Sequence, residues 1–116
     1  MCIFCKIVKG EIPNRTVLES EEFLCFEDIN PACKIHVLII PKEHYDSFDV
    51  IPPKIMANMT EFIHKVASKL GVRQSGYRLI TNIGNHGGQE VSHLHFHLLA
   101  GEKVGRLVGK LVGKES

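Results

Sequence analysis

Very little net charge is left over in this chain. Fourteen basic residues against thirteen acidic ones leave +1 with the histidines neutral. That balance gives no electrostatic argument for wrapping nucleic acid, though local groups can still hold a small anion. No apolar run approaches the ~20 residues a membrane-spanning helix needs. The opening Met1-Cys2-Ile3-Phe4-Cys5 does not read as a signal peptide. Internal repeats, low-complexity stretches and linker-like segments do not stand out. These absences lead to the expectation of a cytoplasmic protein with neither a membrane nor a nucleic acid as partner. Structural disulfides are disfavoured in that compartment, so the four cysteines read as thiols or metal ligands.

What is present is ordinary globular material. The 116 residues are 44% apolar and 23% charged, enough for one domain with its own core. Cys2 to Val8 is apolar with helical spacing, and Gly10 is a plausible stop. Thr16–Glu19 and Phe23–Asp28 read as strands, the second placing Phe26 and Asp28 on one face and Phe23 and Cys25 on the other. Asn30-Pro31 marks a turn. Ile35–Ile40 is aliphatic and β-branched, hence a buried strand, interrupted by His36 and ended by Pro41. The longest helix runs from Pro52 or Pro53 to Leu70, with Gly71 as its stop. Its stripe of Ile55, Met59, Phe62, Val66 and Leu70, widened by Ile63, reads as core. Tyr77–Asn82 is another strand, and glycines at 105, 109 and 113 argue against a stable terminal helix. The order α-β-β-β-α-β-β, without regular β-α-β alternation, predicts an α+β domain with an antiparallel sheet.

One segment departs from this ordinary pattern. His93-Leu94-His95-Phe96-His97-Leu98-Leu99 alternates imidazoles with apolar side chains. As a strand it places His93, His95 and His97 on one face and Leu94, Phe96 and Leu98 on the other. Imidazole titrates near neutral pH, attacks phosphorus or carbonyl carbon, and ligates metals. An internal, alternating run does not look like a harmless exposed tag. His36 sits among aliphatics, where a buried ring needs a partner. Alone it would be a satisfied core histidine; beside a histidine face it becomes a candidate for shared function. His64 lies off the helix stripe and reads as surface.

Two further features carry chemistry. Gly87-Gly88-Gln89-Glu90-Val91 immediately precedes the histidines, and glycines let backbone N–H groups approach an anion. A Gly-Gly pair alone is weak evidence, since most mark turns. Cys2 and Cys5 form a C-x-x-C pair that supplies two thiolates to one metal, with His44, His86 and His93 as candidates to complete it. Cys25 reads as a small core residue, and Cys33 is assigned no role.

The stretch from Gly88 to Leu99 resembles the signature of the histidine triad (HIT) family, His-x-His-x-His followed by two apolar residues. Three other segments resemble the same family in its order. They are Ile3-Phe4-Cys5-Lys6-Ile7 with Glu11-Ile12-Pro13; Phe26-Glu27-Asp28-Ile29; and His36-Val37-Leu38-Ile39-Ile40-Pro41-Lys42-Glu43-His44. The match is nearest to the small branch that hydrolyses purine nucleoside phosphoramidates. It covers nearly the whole chain, so residues 1–116 are read as one HIT domain with a variable tail from about residue 102.

The resemblance implies a five-stranded antiparallel sheet with two helices, and a homodimer joining two sheets into a continuous ten-stranded one. It implies AMP- or GMP-type ligands. His95 resembles the nucleophile that attacks the α-phosphorus and becomes a transient nucleotidyl-imidazole. His97 resembles the neighbouring phosphate contact, and His36 flanks the same site. Gly88, Gln89, Glu90 and Val91 resemble the phosphate loop, Asp28 the ribose-hydroxyl acceptor, and Asn82 a further ribose or phosphate contact. Phe4, Ile7, Phe26 and Ile29 surround the base. Zinc-containing members of the wider superfamily imply Cys2, Cys5, His44 and His93 as ligands to a structural zinc, with His86 the alternative if His93 stays free.

One departure stands out. The small hydrolases usually carry serine where this chain has Glu90. Its carboxylate either serves as general acid for the leaving amine or marks a different leaving group. The leading expectation is a hydrolase or transferase acting at the α-phosphorus of purine nucleoside monophosphate derivatives. The alternative is an AMP- or GMP-binding regulatory module with vestigial catalysis, and a third reading puts a catalytic metal on the histidines themselves.

Overall fold

In the computed structural model, residues 2–105 are described. The elements follow the expected order: α1 (Ile3–Val8), β1 (Thr16–Glu19), β2 (Phe23–Glu27), β3 (Ile35–Pro41), α2 (Pro53–Leu70), β4 (Arg78–Ile80) and β5 (Phe96–Ala100). A single 3₁₀ turn at Phe48–Val50, not anticipated from the sequence, leads into α2. The five strands form one sheet in the order β1-β2-β3-β5-β4, and every neighbouring pair is antiparallel. The α+β class and the strand and helix counts are as the sequence implied.

Local chemistry explains the ends of the helices. Cys2 caps α1, its sulfur accepting the Cys5 N–H at 3.2 Å. Pro53 opens α2, where a missing N–H costs nothing. Gly71 closes it in the left-handed region at φ 72°, and the Val72 N–H reaches back to the Ala67 carbonyl at 3.1 Å.

The sheet buries both faces, each against a different partner. The predicted stripe on α2 packs Met59, Phe62, Ile63 and Val66 against Phe23, Cys25, Val37, Ile39, Leu94, Phe96 and Leu98. The opposite face sets Leu24, Phe26, Leu38 and Ile40 against Phe4 and Ile7 of α1. Helix α2, at eighteen residues, therefore covers most of one face, and α1, at six, covers only part of the other. The uncovered remainder is where the histidines emerge.

Several strand limits differ from the sequence reading. β5 begins at Phe96, so His93 and His95 precede the strand. There the backbone leaves the ladder: the His93 N–H bonds the Val91 carbonyl at 2.8 Å and the Leu94 N–H bonds that of Tyr45 at 2.7 Å. The alternation persists nonetheless, since Leu94, Phe96 and Leu98 enter the α2 core while Phe4 lies against His93 and His95. β4 spans Arg78–Ile80 rather than Tyr77–Asn82, and the Thr81 hydroxyl donates to the His95 carbonyl at 2.7 Å. β2 stops at Glu27 because Asp28 turns the chain, its Oδ1 accepting the Asn30 N–H at 2.8 Å. The expectation about a terminal helix beyond Gly105 lies outside the described residues.

Candidate functional site

Register places the site on the α1 side. Phe26 lies opposite Leu38, Leu38 opposite His97, and His97 opposite Ile80. Directly opposed residues share a face, so His97 extends the row begun by Phe26 and Leu38. His36, two residues before Leu38, joins the same face.

Each histidine has its tautomer set by a hydrogen-bond partner. His95 is buried, and its Nδ1 lies 2.7 Å from the His93 carbonyl. A carbonyl only accepts, so Nδ1 carries a proton, and in the neutral ring Nε2 is the nitrogen with the lone pair. His36 Nδ1 accepts the Ala32 N–H at 3.0 Å, so its proton sits on Nε2. That Nε2 lies 2.9 Å from His97 Nδ1 and 3.4 Å from Asp28 Oδ2. His97 then accepts at Nδ1 and keeps a donor at Nε2. Burial first, then the neighbouring His95 and His36, pushes the His97 pKa down to about 4 against a partial pull from Asp28. At neutral pH His97 is an uncharged donor.

This wiring bears on the third reading from the sequence. Asp28, His36 and His97 stand close enough to hold a cation. Ligation through His36 Nε2 would move its proton to Nδ1, against the Ala32 N–H. The cluster is built to pass hydrogen bonds toward His97 rather than to hold a metal.

Two cavities meet at this face. The larger, about 690 Å³, is apolar and lined by Phe4, Ile7, Phe26, Leu38, Ile29 and Asp28 among others. The smaller, about 310 Å³, is lined by His95, His97, Asn82, Gly88, Glu90 and Val91, and shares Phe4, Asp28 and Leu38 with the first. Of the anticipated catalytic and nucleotide-binding residues, only Gln89 and His36 line neither cavity. Gln89 braces the loop: its Oε1 accepts the Gly84 N–H at 2.9 Å, and its Nε2 donates to the Asp46 and Val91 carbonyls at 2.6 and 2.9 Å. His36 reaches the smaller cavity only through its hydrogen bond to His97.

The loop carries its glycines for steric reasons. A Cβ on Gly87 would stand 2.2 Å from the Ile83 carbonyl oxygen, and Gly88 has φ +80°. The Asn82 amide donates to the Gly87 carbonyl at 2.7 Å. The Gly88 and Gln89 N–H groups are used within the loop, on the Asn85 and Gly84 carbonyls. Those of Glu90 and Val91 make no bond among the described residues, and both residues line the smaller cavity.

A second cluster lies behind the first. Cys2, Cys5, His44 and His93 present their ligand atoms within 4.8 Å of one another, and this set could hold a metal ion. Cys2 Sγ is 3.1 Å from Cys5 Sγ and 3.3 Å from His93 Nδ1, and Cys5 Sγ is 3.4 Å from His44 Nδ1. Ligands about 2.0–2.3 Å from a tetrahedral centre lie roughly 3.3–3.8 Å apart, close to these separations. Both imidazoles turn their other nitrogen to an acceptor: His93 Nε2 to the Pro41 carbonyl and His44 Nε2 to Asp46, each at 2.9 Å. That leaves Nδ1 of each free to ligate, the arrangement metal-binding histidines adopt. Burial opposes a Cys2 thiolate, but hydrogen bonds from Cys5 and His44 outweigh it and lower its pKa. Burial and the adjacent Cys2 raise that of Cys5. His86 is exposed in the glycine loop and outside the cluster, so His93 fills the position for which His86 was the alternative.

Two quieter readings also hold. Cys25 is wholly buried, with its thiol pushed up to about 12 by desolvation. His64 is exposed. The sequence reading missed Leu38, which lines both cavities, and Asp46, which orients His44. Strand parity with His36 could have found the first, and the His-x-Asp spacing the second. The carbonyls of Pro41 and His93 leave no sequence signal.

Comparison with known proteins agrees with this geometry. The HIT domain family matches residues 9–104. An HIT-like protein of Helicobacter pylori is 53% identical over 103 residues, covering 89% of this chain and 99% of its own. The structure of an HIT family hydrolase from Clostridium thermocellum superposes with TM-score 0.85 at 46% identity, over 90% of this chain and 94% of that one. A histidine triad nucleotide-binding protein from Candida albicans superposes with TM-score 0.79 at 38% identity, over 84% and 73%. The chain belongs to the HIT family.

Proposed function

We propose that the protein is a hydrolase or nucleotidyl transferase acting at the α-phosphorus of purine nucleoside monophosphate derivatives of the adenosine phosphoramidate kind. One observation carries the reading: a buried histidine, His95, with its Nδ1 committed to the His93 carbonyl, lines a small polar cavity that meets a larger apolar one. The larger cavity suits a purine and its ribose, with Asp28 at the junction as hydroxyl acceptor. The smaller suits a phosphate, met by the Glu90 and Val91 amides and by His97 Nε2–H.

His95 Nε2 forms a bond to the α-phosphorus as the bond to the leaving amine breaks, and the amine takes up a proton as it departs. Water then attacks the same phosphorus, the Nε2–P bond breaks, and a proton is released with the nucleoside monophosphate. Splitting one displacement into two is what an imidazole nucleophile offers. The names of the hydrolase and nucleotide-binding structural neighbours support both halves of the reading.

Cys2, Cys5, His44 and His93 are read as ligands to a structural zinc, which when bound would tie α1 to the segments after β3 and before β5. A homodimer with the sheets continuous belongs to the same reading, supported by β4 at the sheet edge with Leu79 41% exposed. The test is turnover of an adenosine phosphoramidate by the wild type and by His95→Ala. Equal rates would eliminate the mechanism. Tight AMP binding without any trapped nucleotidyl-protein would favour a regulatory module instead.

A further inference from the structure

We propose that Glu90 selects for leaving groups that carry a positive charge and against those that extend into further phosphates. The inference rests on the proposed function and deepens it.

The two cavities fix a direction. They share the wall formed by Phe4, Asp28 and Leu38. A nucleoside in the apolar cavity runs its 5′ end across that wall toward His95. The substituent to be displaced must then leave along the part of the lining that is not shared; beyond His95 and His97 this is Asn82, Gly88, Glu90 and Val91. Glu90 is the only one of these four with an ionisable side chain. It is exposed, and its carboxylate makes no hydrogen bond or ion pair among the described residues.

The rest of the lining does not offset it. Among the described residues no lysine or arginine lines the smaller cavity, and its other carboxylate is Asp28. Backbone amides and the neutral His97 imidazole can hold one phosphate there. A polyphosphate tail would add negative charges along a wall that already carries one. An alkylammonium on the leaving group would meet an unpaired carboxylate. The site is partly open to solvent, so the preference is modest: about two- to fivefold, the range of an exposed ion pair.

Calorimetry on the full chain, using His95→Ala so that binding is read without turnover, tests this. The probes are AMP and two adenosine 5′-phosphoramidates of matched length, one made from pentylamine and one from 1,4-diaminobutane with its far amine free. The diamine derivative is expected to bind about two- to fivefold more tightly, and this ratio should fall to one on adding Glu90→Gln or on raising the salt. Circular dichroism of both variants checks that each is folded. A ratio unchanged by Glu90→Gln overturns the proposal, as does a ratio of one in the protein that retains Glu90. If AMP binds and the ratio is one, only this proposal falls. If neither AMP nor the two derivatives bind, the proposed function falls with it.

Discussion

His95 donates its Nδ1 proton to the backbone carbonyl of His93 over 2.7 Å, and His93 presents its own Nδ1 to the two cysteines. One residue therefore serves both clusters, its side chain facing the thiols and its carbonyl holding the neighbouring ring. Both rings stand edge-on to Phe4, with centroids 5.8 Å from His93 and 5.1 Å from His95. The His95 ring is thus held from two sides, by a backbone carbonyl and by the edge-on Phe4 ring.

Removing the His95 ring should abolish turnover rather than weaken binding. His95→Ala is expected to lower kcat by about a thousandfold or more, the scale seen when a nucleophile is lost. An alkaline quench followed by mass spectrometry should find a nucleotidyl adduct on wild type during turnover and none on His95→Ala. An adduct of equal abundance on the variant would place the covalent step elsewhere.

Acid should destabilise the fold through His97. Its pKa lies near 4 in the folded protein and at 6.5 in the reference state. Between these values the unfolded chain binds more protons, so stability falls as pH drops from about 6.5 toward 4. Above 6.5 both states are neutral and this contribution is constant. Urea unfolding of wild type and His97→Asn across that window should show a steeper loss in the wild type. Parallel curves would mean that His97 titrates normally.

Gly87 has no room for a side chain. With the Ile83 carbonyl 2.2 Å from the position of a Cβ, Gly87→Ala must shift backbone rather than a flexible side chain. The expected cost is about 1–3 kcal/mol, the range for overpacking. Because Asn82 and Gln89 hold the same loop, AMP affinity should fall as well. An unchanged unfolding midpoint together with unchanged AMP affinity would contradict the geometry.

Metal loading should appear as stability. If zinc binds only the folded chain, a free concentration a hundredfold above Kd adds about 2.7 kcal/mol. Chelation should lower Tm, and Cys5→Ser should both reduce metal content and make Tm insensitive to chelator. A metal-free wild type with the same Tm would rule out a structural role.

Much of this was readable from the residues, and the limits have physical causes. Period-two alternation identified the histidine face even though β5 starts only at Phe96, because side-chain parity survives where ladder hydrogen bonds do not. The α2 stripe and its Pro53 and Gly71 ends follow from helix geometry alone. The family resemblance implied Cys2, Cys5, His44 and His93 as a set, and the fold brings them together. What stayed hidden was backbone work. The Ala32 N–H that fixes His36, and the carbonyls of Pro41 and His93, belong to positions whose side chains say nothing about it. The family resemblance assigns Gln89 to a phosphate loop; that its amide also braces the loop depends on three-dimensional placement rather than spacing.

The contact between His36 and His97 spans 61 residues of chain and crosses the seam where β3 pairs with β5. Helix α2 lies between these two strands in sequence, so the seam is a long-range closure, the kind that is slow to form. A chain that has made its β1-β2-β3 meander and α2 but not this seam has His36 without its acceptor. It also has the C-x-x-C pair without His93. Neither cluster can be complete before the topology is.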